Sequence, residues 1–408
     1  MSAPRSHATA DPAPDSSASR SAYPATTGAV VVLVVTALFV LTQLYAAIPL
    51  IAPMSTELGG DVTFALSTAF SLCYAIGFLI WGPLADQFGR KRILVIGLAL
   101  LTAATIGAAL AGTIALLGML RAVQGFAAAS FAPVALAYLA EAVPPRRRPV
   151  AIGAMSTAFL VAGITGQVLA SAVSLTLGWD WVFGLCGIVL AACLTGLAIL
   201  VIEPCRDATP GGLAHRFAAM GRVAVMPRVL LLALAHLTLL LGFVAMYTGL
   251  GPHLEILGLD ASQVIWLRLV GLPGMFASLA VGPLAARLGT AGVARLGFTI
   301  AALGLATEAL FSGSLAGVAV TSLVYATGVA FAVPAMITLF GETAAPNRAG
   351  GMALNGFVLF IGASIGPLTA GLNLPFSALL WSLTALSVIA AISLTAFTRL
   401  TSRREAQA

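Results

Sequence analysis

Four ionisable side chains, leaving Cys and Tyr aside, stand well inside long apolar stretches: Arg121, His236, Arg268 and Glu308. In hydrocarbon such a group costs at least ~2.5 kcal/mol near mid-depth, so its default chemistry is functional: receiving a charged solute, or holding and passing a proton. Arg121 keeps its charge and cannot release a proton, but it can tune a neighbouring acid or receive an anion. Gln124 follows one turn on, on the same helical face. Arg268 lies in VIWLRLVGLPG (264–274), beside Trp266 and just ahead of Gly271, Pro273 and Gly274, which predict a bent helix and a solute-contact element. Each group has a structural alternative. Arg121 would tie helix ends through backbone carbonyls, and Arg268 would snorkel to headgroups from a shallow depth. Glu308 is expected at an edge position near the membrane interface, and His236 as a satisfied structural histidine. Gln43, Tyr45, Tyr74, Gln167 and Tyr247 are neutral polar groups near mid-depth, each also suited to helix–helix hydrogen bonds.

A second cluster lies between apolar runs. GPLADQFGRKR (82–92) sets Asp86 among Arg90, Lys91 and Arg92. Asp86, at a helix end, can accept hydrogen bonds from the start of a neighbouring helix, where a carboxylate is favoured. Arg90 can pair with Glu141, and Gly82 and Gly89 permit a tight turn. The bases serve topology in part; an acid among them does not, so Asp86, Arg90 and Glu141 are expected to form a latch. GPLAARLGTAG (282–292) repeats the Gly-Pro-Leu-Ala and the later Gly without the acid.

Other chemistries find little support. No phosphate-cradling Gly-rich loop of the Walker type is present. The four His (7, 215, 236, 253) are scattered, which argues against a membrane enzyme with metal or acid–base machinery. Cys73, Cys186, Cys193 and Cys205 do not form a spaced set, so no disulfide framework, metal site or cofactor is expected, and no catalytic residue is assigned.

The elements that must position these groups follow from the solvent. Of 408 residues, 60% are hydrophobic and 8% charged, with a mean hydropathy of +1.04. A soluble domain carries about 25% charged residues, so the surroundings are lipid. Twelve runs are long enough to span as helices: 28–53, 63–84, 93–112, 114–141, 150–175, 180–202, 228–251, 261–285, 292–311, 314–341, 349–372 and 375–398. Eighteen of the twenty Lys and Arg fall in the two tails and the even-to-odd loops; the other loops carry acids such as Glu57, Asp61, Asp180, Glu255 and Asp260. The positive-inside rule then places both termini in the cytoplasm. The same excess accounts for the pI of 9.5 without nucleic acid.

The echo belongs to a longer repeat. At offsets of 200 or 201, Gly166 matches Gly366, Pro133 matches Pro334, and Glu141, Pro145 and Arg147 match Glu342, Pro346 and Arg348. The expected organisation is a disordered cytoplasmic tail (1–27), a six-helix half (28–202), a cytoplasmic linker (203–227), a second six-helix half (228–398) and a cytoplasmic tail (399–408). An even helix number makes the halves parallel repeats.

The loop Gly82, Leu84, Ala85, Asp86, Gly89, Arg90, Lys91, Arg92, together with RAVQG (121–125) and GWDWVF (178–183), resembles the major facilitator superfamily (MFS) of secondary transporters over roughly 28–398. The resemblance is nearest to its drug/proton-antiporter-like efflux branch. Helix five departs from that branch's pattern: AGITGQVLAS (162–171) keeps Gly166 but has Gln167 in place of Pro. The resemblance implies an all-α fold of twelve helices in two pseudo-symmetric halves working by alternating access. It links Arg121 to proton coupling, sets Asp86 against helix eleven, and makes Gln43 and Tyr247 cavity residues. The function expected is proton-coupled efflux of a small neutral or anionic solute by a monomer in the inner (plasma) membrane, with small solute, protons and lipid as partners. Uptake, multidrug efflux and a transport-dead sensor remain alternatives on the same fold.

Overall fold

The computed structural model describes residues 25–204, 212–345 and 347–405, the last four of these as backbone only. Most of the expected N-terminal tail, Cys205, Pro346 and the last residues of the C-terminal tail lie outside the described residues. The twelve spans are Thr27–Tyr45, Phe64–Phe88, Arg90–Ala108, Ile114–Ala142, Arg148–Thr176, Trp179–Leu200, Pro227–Ile256, Ala261–Leu288, Thr290–Phe311, Leu315–Thr343, Arg348–Leu372 and Phe376–Thr401. They are helices one to twelve. In hydrocarbon every peptide group must be bonded within its own segment, so uniformly apolar runs of this length become helices.

Polar side chains mark the starts. Thr26, Thr113, Asp260, Ser314 and Asn347 each accept a hydrogen bond from a free N–H of the first turn. At helix eight Asp260 and Gln263 form a reciprocal capping box. Bonding from Ser262 and Gln263 holds the exposed Asp260 carboxyl below its ordinary range. Helix eight is not continuous: its first α-helical stretch ends at Leu269, Leu272–Met275 is one short turn, and Phe276–Ala280 is a 3-10 segment. The bend expected at Gly271–Gly274 is therefore a break.

Small residues bring the helices together. Gly97 on helix three lies against Ser130 and Ala127 of helix four; Gly297, 200 positions on, lies against Ala332 and Gly328 of helix ten. Without a hydrophobic drive between helices in lipid, this close approach is what packing rests on. Between the first six helices and the last six, helix two meets helix eleven, where Tyr74 stacks on Phe360 at 3.9 Å and Gly356 leaves no room for a Cβ against the Phe78 ring. Helix five meets helix eight, where Gly271 fits between Ile164 and the Tyr247 hydroxyl.

The linker holds a helix, Leu213–Ala224, that burial in the fold organises: Met220 and Val223 pack inward against helices two, seven and eleven. Helix twelve runs on to Glu405, past the expected boundary at 398.

Candidate functional site

A cavity of about 640 Å³ opens between the first six helices and the last six. Its walls are aromatic and aliphatic: Tyr45, Tyr74, Phe78, Phe243 and Phe360 are among the lining residues. The Tyr74 hydroxyl, buried, has no partner among the described residues. Among the described residues that line it, charge is confined to one end, where Asp86, Arg90, Glu141 and Arg348 stand at the mouth. That end lies on the face carrying the basic loops, and Glu141 there is 40% exposed. Toward the opposite face the walls close: Thr68 of helix two donates to the Ser364 carbonyl of helix eleven at 2.9 Å.

Three of the mouth's charged residues form one network with the linker. Arg90 pairs with Asp86 on the preceding turn and donates from Nη2 to Glu141 Oε1 at 2.9 Å. Asp86 Oδ2 also faces Arg216 Nη1 of the linker helix at 3.3 Å. The carboxylate that caps the start of helix three is Glu203, which accepts from the Arg90 and Lys91 N–H groups at 2.7 Å each. Sequence reading gave that task to Asp86 and missed both Glu203 and Arg216. The linker helix did leave a signal: Leu213, Phe217, Met220 and Ala224 recur at helical spacing. Gly89 makes the turn with φ 109°, and Gly289 repeats it with φ 72°, a region only glycine enters freely. Gly82 makes no turn; it lies inside helix two, which runs unbroken to Phe88, and lines the cavity.

None of the residues expected in the solute cavity lines it. Arg121 is fully buried within the first six helices, where Nε donates to the Leu66 carbonyl at 2.6 Å, Nη2 to the Gln43 carbonyl at 2.8 Å and Nη1 to Gln124 Oε1 at 2.8 Å. Gln124 in turn donates to Thr105 at 2.9 Å, and Phe70 covers the guanidinium at 4.3 Å. Helices one, two, three and four are thus tied at one point. Gln43 supplies a backbone carbonyl to this tie, and its own Nε2 donates to the Phe39 carbonyl within helix one at 3.4 Å.

The second-half candidates separate likewise. Trp266 is 71% exposed on the outer surface of helix eight. Arg268 is buried against Gly251 of helix seven rather than snorkelling, with Nε and Nη1 unpartnered among the described residues. Tyr247 is buried beside the helix-eight break. Glu308 is fully buried rather than at an edge, because helix nine turns it onto helix ten, where Ser322 donates to it at 3.0 Å. His236 is buried and meets Asn355 of helix eleven, a wall residue, at 2.9 Å. No group of three His, Cys, Asp or Glu suited to a metal occurs among the described residues.

The sequence profile of the Major Facilitator Superfamily matches residues 33–367. The chain belongs to that superfamily. Members of the Major Facilitator Superfamily are transporters rather than enzymes, and the twelve apolar helices make this one a multi-pass membrane protein. Among its curated relatives, an uncharacterized MFS-type transporter of Mycobacterium tuberculosis is 36% identical over 135 residues, 32% of this chain and 23% of that protein. Multidrug resistance protein 3 of Bacillus subtilis is 31% identical over 131 residues, 31% of this chain and 25% of that protein. The Tetracenomycin C resistance and export protein of Streptomyces glaucescens is 30% identical over 138 residues, 33% of this chain and 25% of that protein. The chain spans about a quarter of the length of each of these three relatives.

Proposed function

We propose that this MFS protein is a secondary active transporter that exports a small, uncharged, largely apolar organic solute from the cytoplasm, driven by protons. One observation carries the reading: a cavity with aromatic walls whose charges stand only at its mouth. Each apolar or aromatic group a solute buries there contributes on the order of 1.5–3 kcal/mol, whereas a charged solute would find no partner in the walls. The anionic solute expected from Arg121 and Arg268 loses its support, since neither side chain faces the cavity.

The mechanism is alternating access between two six-helix units, 28–202 and 228–398, joined by the linker. The positive-inside rule, applied to the basic loops, supports a mouth on the cytoplasmic side of an inner membrane. In this arrangement solute enters from the cytoplasm, and the Asp86–Arg90–Glu141 network, with Arg216, becomes the latch that draws the mouth shut as the opposite side parts. The names of two relatives, a multidrug resistance protein and a tetracenomycin C exporter, support export.

The test is flux in proteoliposomes under an imposed pH gradient, with a solute panel led by tetracenomycin C and including charged aromatic and aliphatic members. Uncharged aromatic members should move, and Phe360→Ala should slow them at least fivefold. Flux of charged members alone, or rates untouched by Phe360→Ala, would remove the cavity from the transport path.

A further inference from the structure

Outside the cavity, the last six helices hold a set of buried polar groups that do not satisfy one another. Glu308 is fully buried. Its Oε1 accepts from Ser322 at 3.0 Å, and its Oε2 has no partner among the described residues. The Tyr247 hydroxyl and two guanidinium nitrogens of Arg268 are likewise unpartnered. Tyr247 is within electrostatic reach of both Glu308 and Arg268. Native interiors leave few such atoms, and an acid, a base and a phenol gathered in one bundle call for an explanation.

We infer that Glu308 is an exchangeable proton site, with Ser322 as its fixed donor and Tyr247 as its link to the moving part of the fold. The ligand is a proton taken from water: the carboxylate and one hydronium give a carboxylic acid and water, and the reverse step returns it. A neutral acid fits the present surroundings, because an ionised carboxylate with one hydroxyl donor in a buried site is far too costly. The other state needs a second donor. The Tyr247 hydroxyl supplies it once helix eight shifts, because that hydroxyl rests against Gly271 at the helix break, where helix five also makes contact through Ile164. Movement of the first six helices against the last six therefore reaches Glu308.

The surroundings define what else titrates near it. Helix ten presents Ser322 and Tyr325, and helix seven presents Tyr247. Helix eight presents Arg268, itself within range of Glu255, and Tyr45 of helix one reaches Tyr325 electrostatically. Helix twelve packs on helix nine, and its one titratable group among the described side chains, Arg399, is at the far end. His253 of helix seven, partly buried on the face opposite the mouth, bonds at 2.8 Å to the carbonyl of Ser312, which lies one turn beyond Glu308. Toward the cavity, Tyr247 packs on Phe243, a wall residue, at 4.7 Å between ring centroids.

That this proton drives solute movement rests on the transporter reading above; that Glu308 binds it does not. Infrared difference spectra of the full chain in lipid nanodiscs, recorded against pH, test it directly. The expected result is a protonated-carboxyl band that titrates, disappears in Glu308→Gln and is shifted but retained in Glu308→Asp. Should Glu308→Gln not fold, Ser322→Ala must displace the band and move its midpoint by at least threefold in proton concentration. Tyr247→Phe must move the midpoint as well. A band unchanged in Glu308→Gln, or indifferent to both Ser322→Ala and Tyr247→Phe, overturns the assignment. Absent flux of the whole solute panel would instead overturn the transporter reading and leave the infrared result standing.

Discussion

Arg121 and Ser322 stand 201 positions apart, at matching places on helices four and ten, yet their surroundings differ in kind. Around Arg121 three donors meet three acceptors, and Gln124 passes the chain of bonds on to Thr105. At Ser322 one hydroxyl meets one carboxylate, and in the same bundle Glu308 Oε2, the Tyr247 hydroxyl and part of Arg268 have no partner among the described residues. A satisfied buried network fixes one geometry; an unsatisfied one is poised for another. The lesson is that matching places in a repeated fold can differ in how far their buried polar groups are satisfied, and the proton site inferred at Glu308 turns on that difference.

The contrast can be broken by mutation. Arg121→Ala should have the largest effect, more than ~3 kcal/mol, since bonds to a charged group are worth about 1.5–3 kcal/mol each and three acceptors would be stranded. Thermal unfolding in detergent reads this, and Arg121→Lys should not rescue it, because an ammonium cannot span the same fork. Gln124→Ala should cost about 1–3 kcal/mol by leaving one guanidinium nitrogen of Arg121 unpaired and removing the bond that Thr105 accepts, while Thr105 keeps its bond to the Leu101 carbonyl, measured in the same way. Glu308→Gln should change stability by less than ~1 kcal/mol, because the amide keeps the Ser322 bond in the shape of the neutral acid. A near-neutral Arg121→Ala, or a Glu308→Gln as damaging as Arg121→Ala, would erase the distinction between the two places. Smallest in stability is Asp86→Asn, below ~1 kcal/mol, since its pairs are partly exposed. Its effect should fall on cycling, read as slower flux in proteoliposomes with an unchanged unfolding temperature.

The spans, the place where helix eight deviates (read as a bend, found as a break) and the glycine turns at Gly89 and Gly289 could be read from the chain, because each rests on local rules: run length, punctuating residues and backbone freedom. Which side chains face the cavity could not. In a soluble helix the apolar stripe points inward, but here lipid and core are equally apolar, so no periodicity tells Tyr74 on the wall from Trp266 on the outer surface. Depth gave Arg121 as functional, although its depth is what lets it reach the carbonyls of Leu66 and Gln43. Glu203 escaped notice because it caps a helix 113 residues earlier in the chain.

Glu203 closes the first six helices by bonding back to the start of helix three, whereas Arg216, on the far side of the chain's midpoint, reaches across to Asp86. The two anchors flank Pro204–Gly212, and neither depends on the peptide bonds between them. A nick in that stretch would leave each fragment with its own fastening, and the second fragment would still grip the first through a guanidinium. Separately expressed pieces cut there are therefore equipped to find each other in the bilayer.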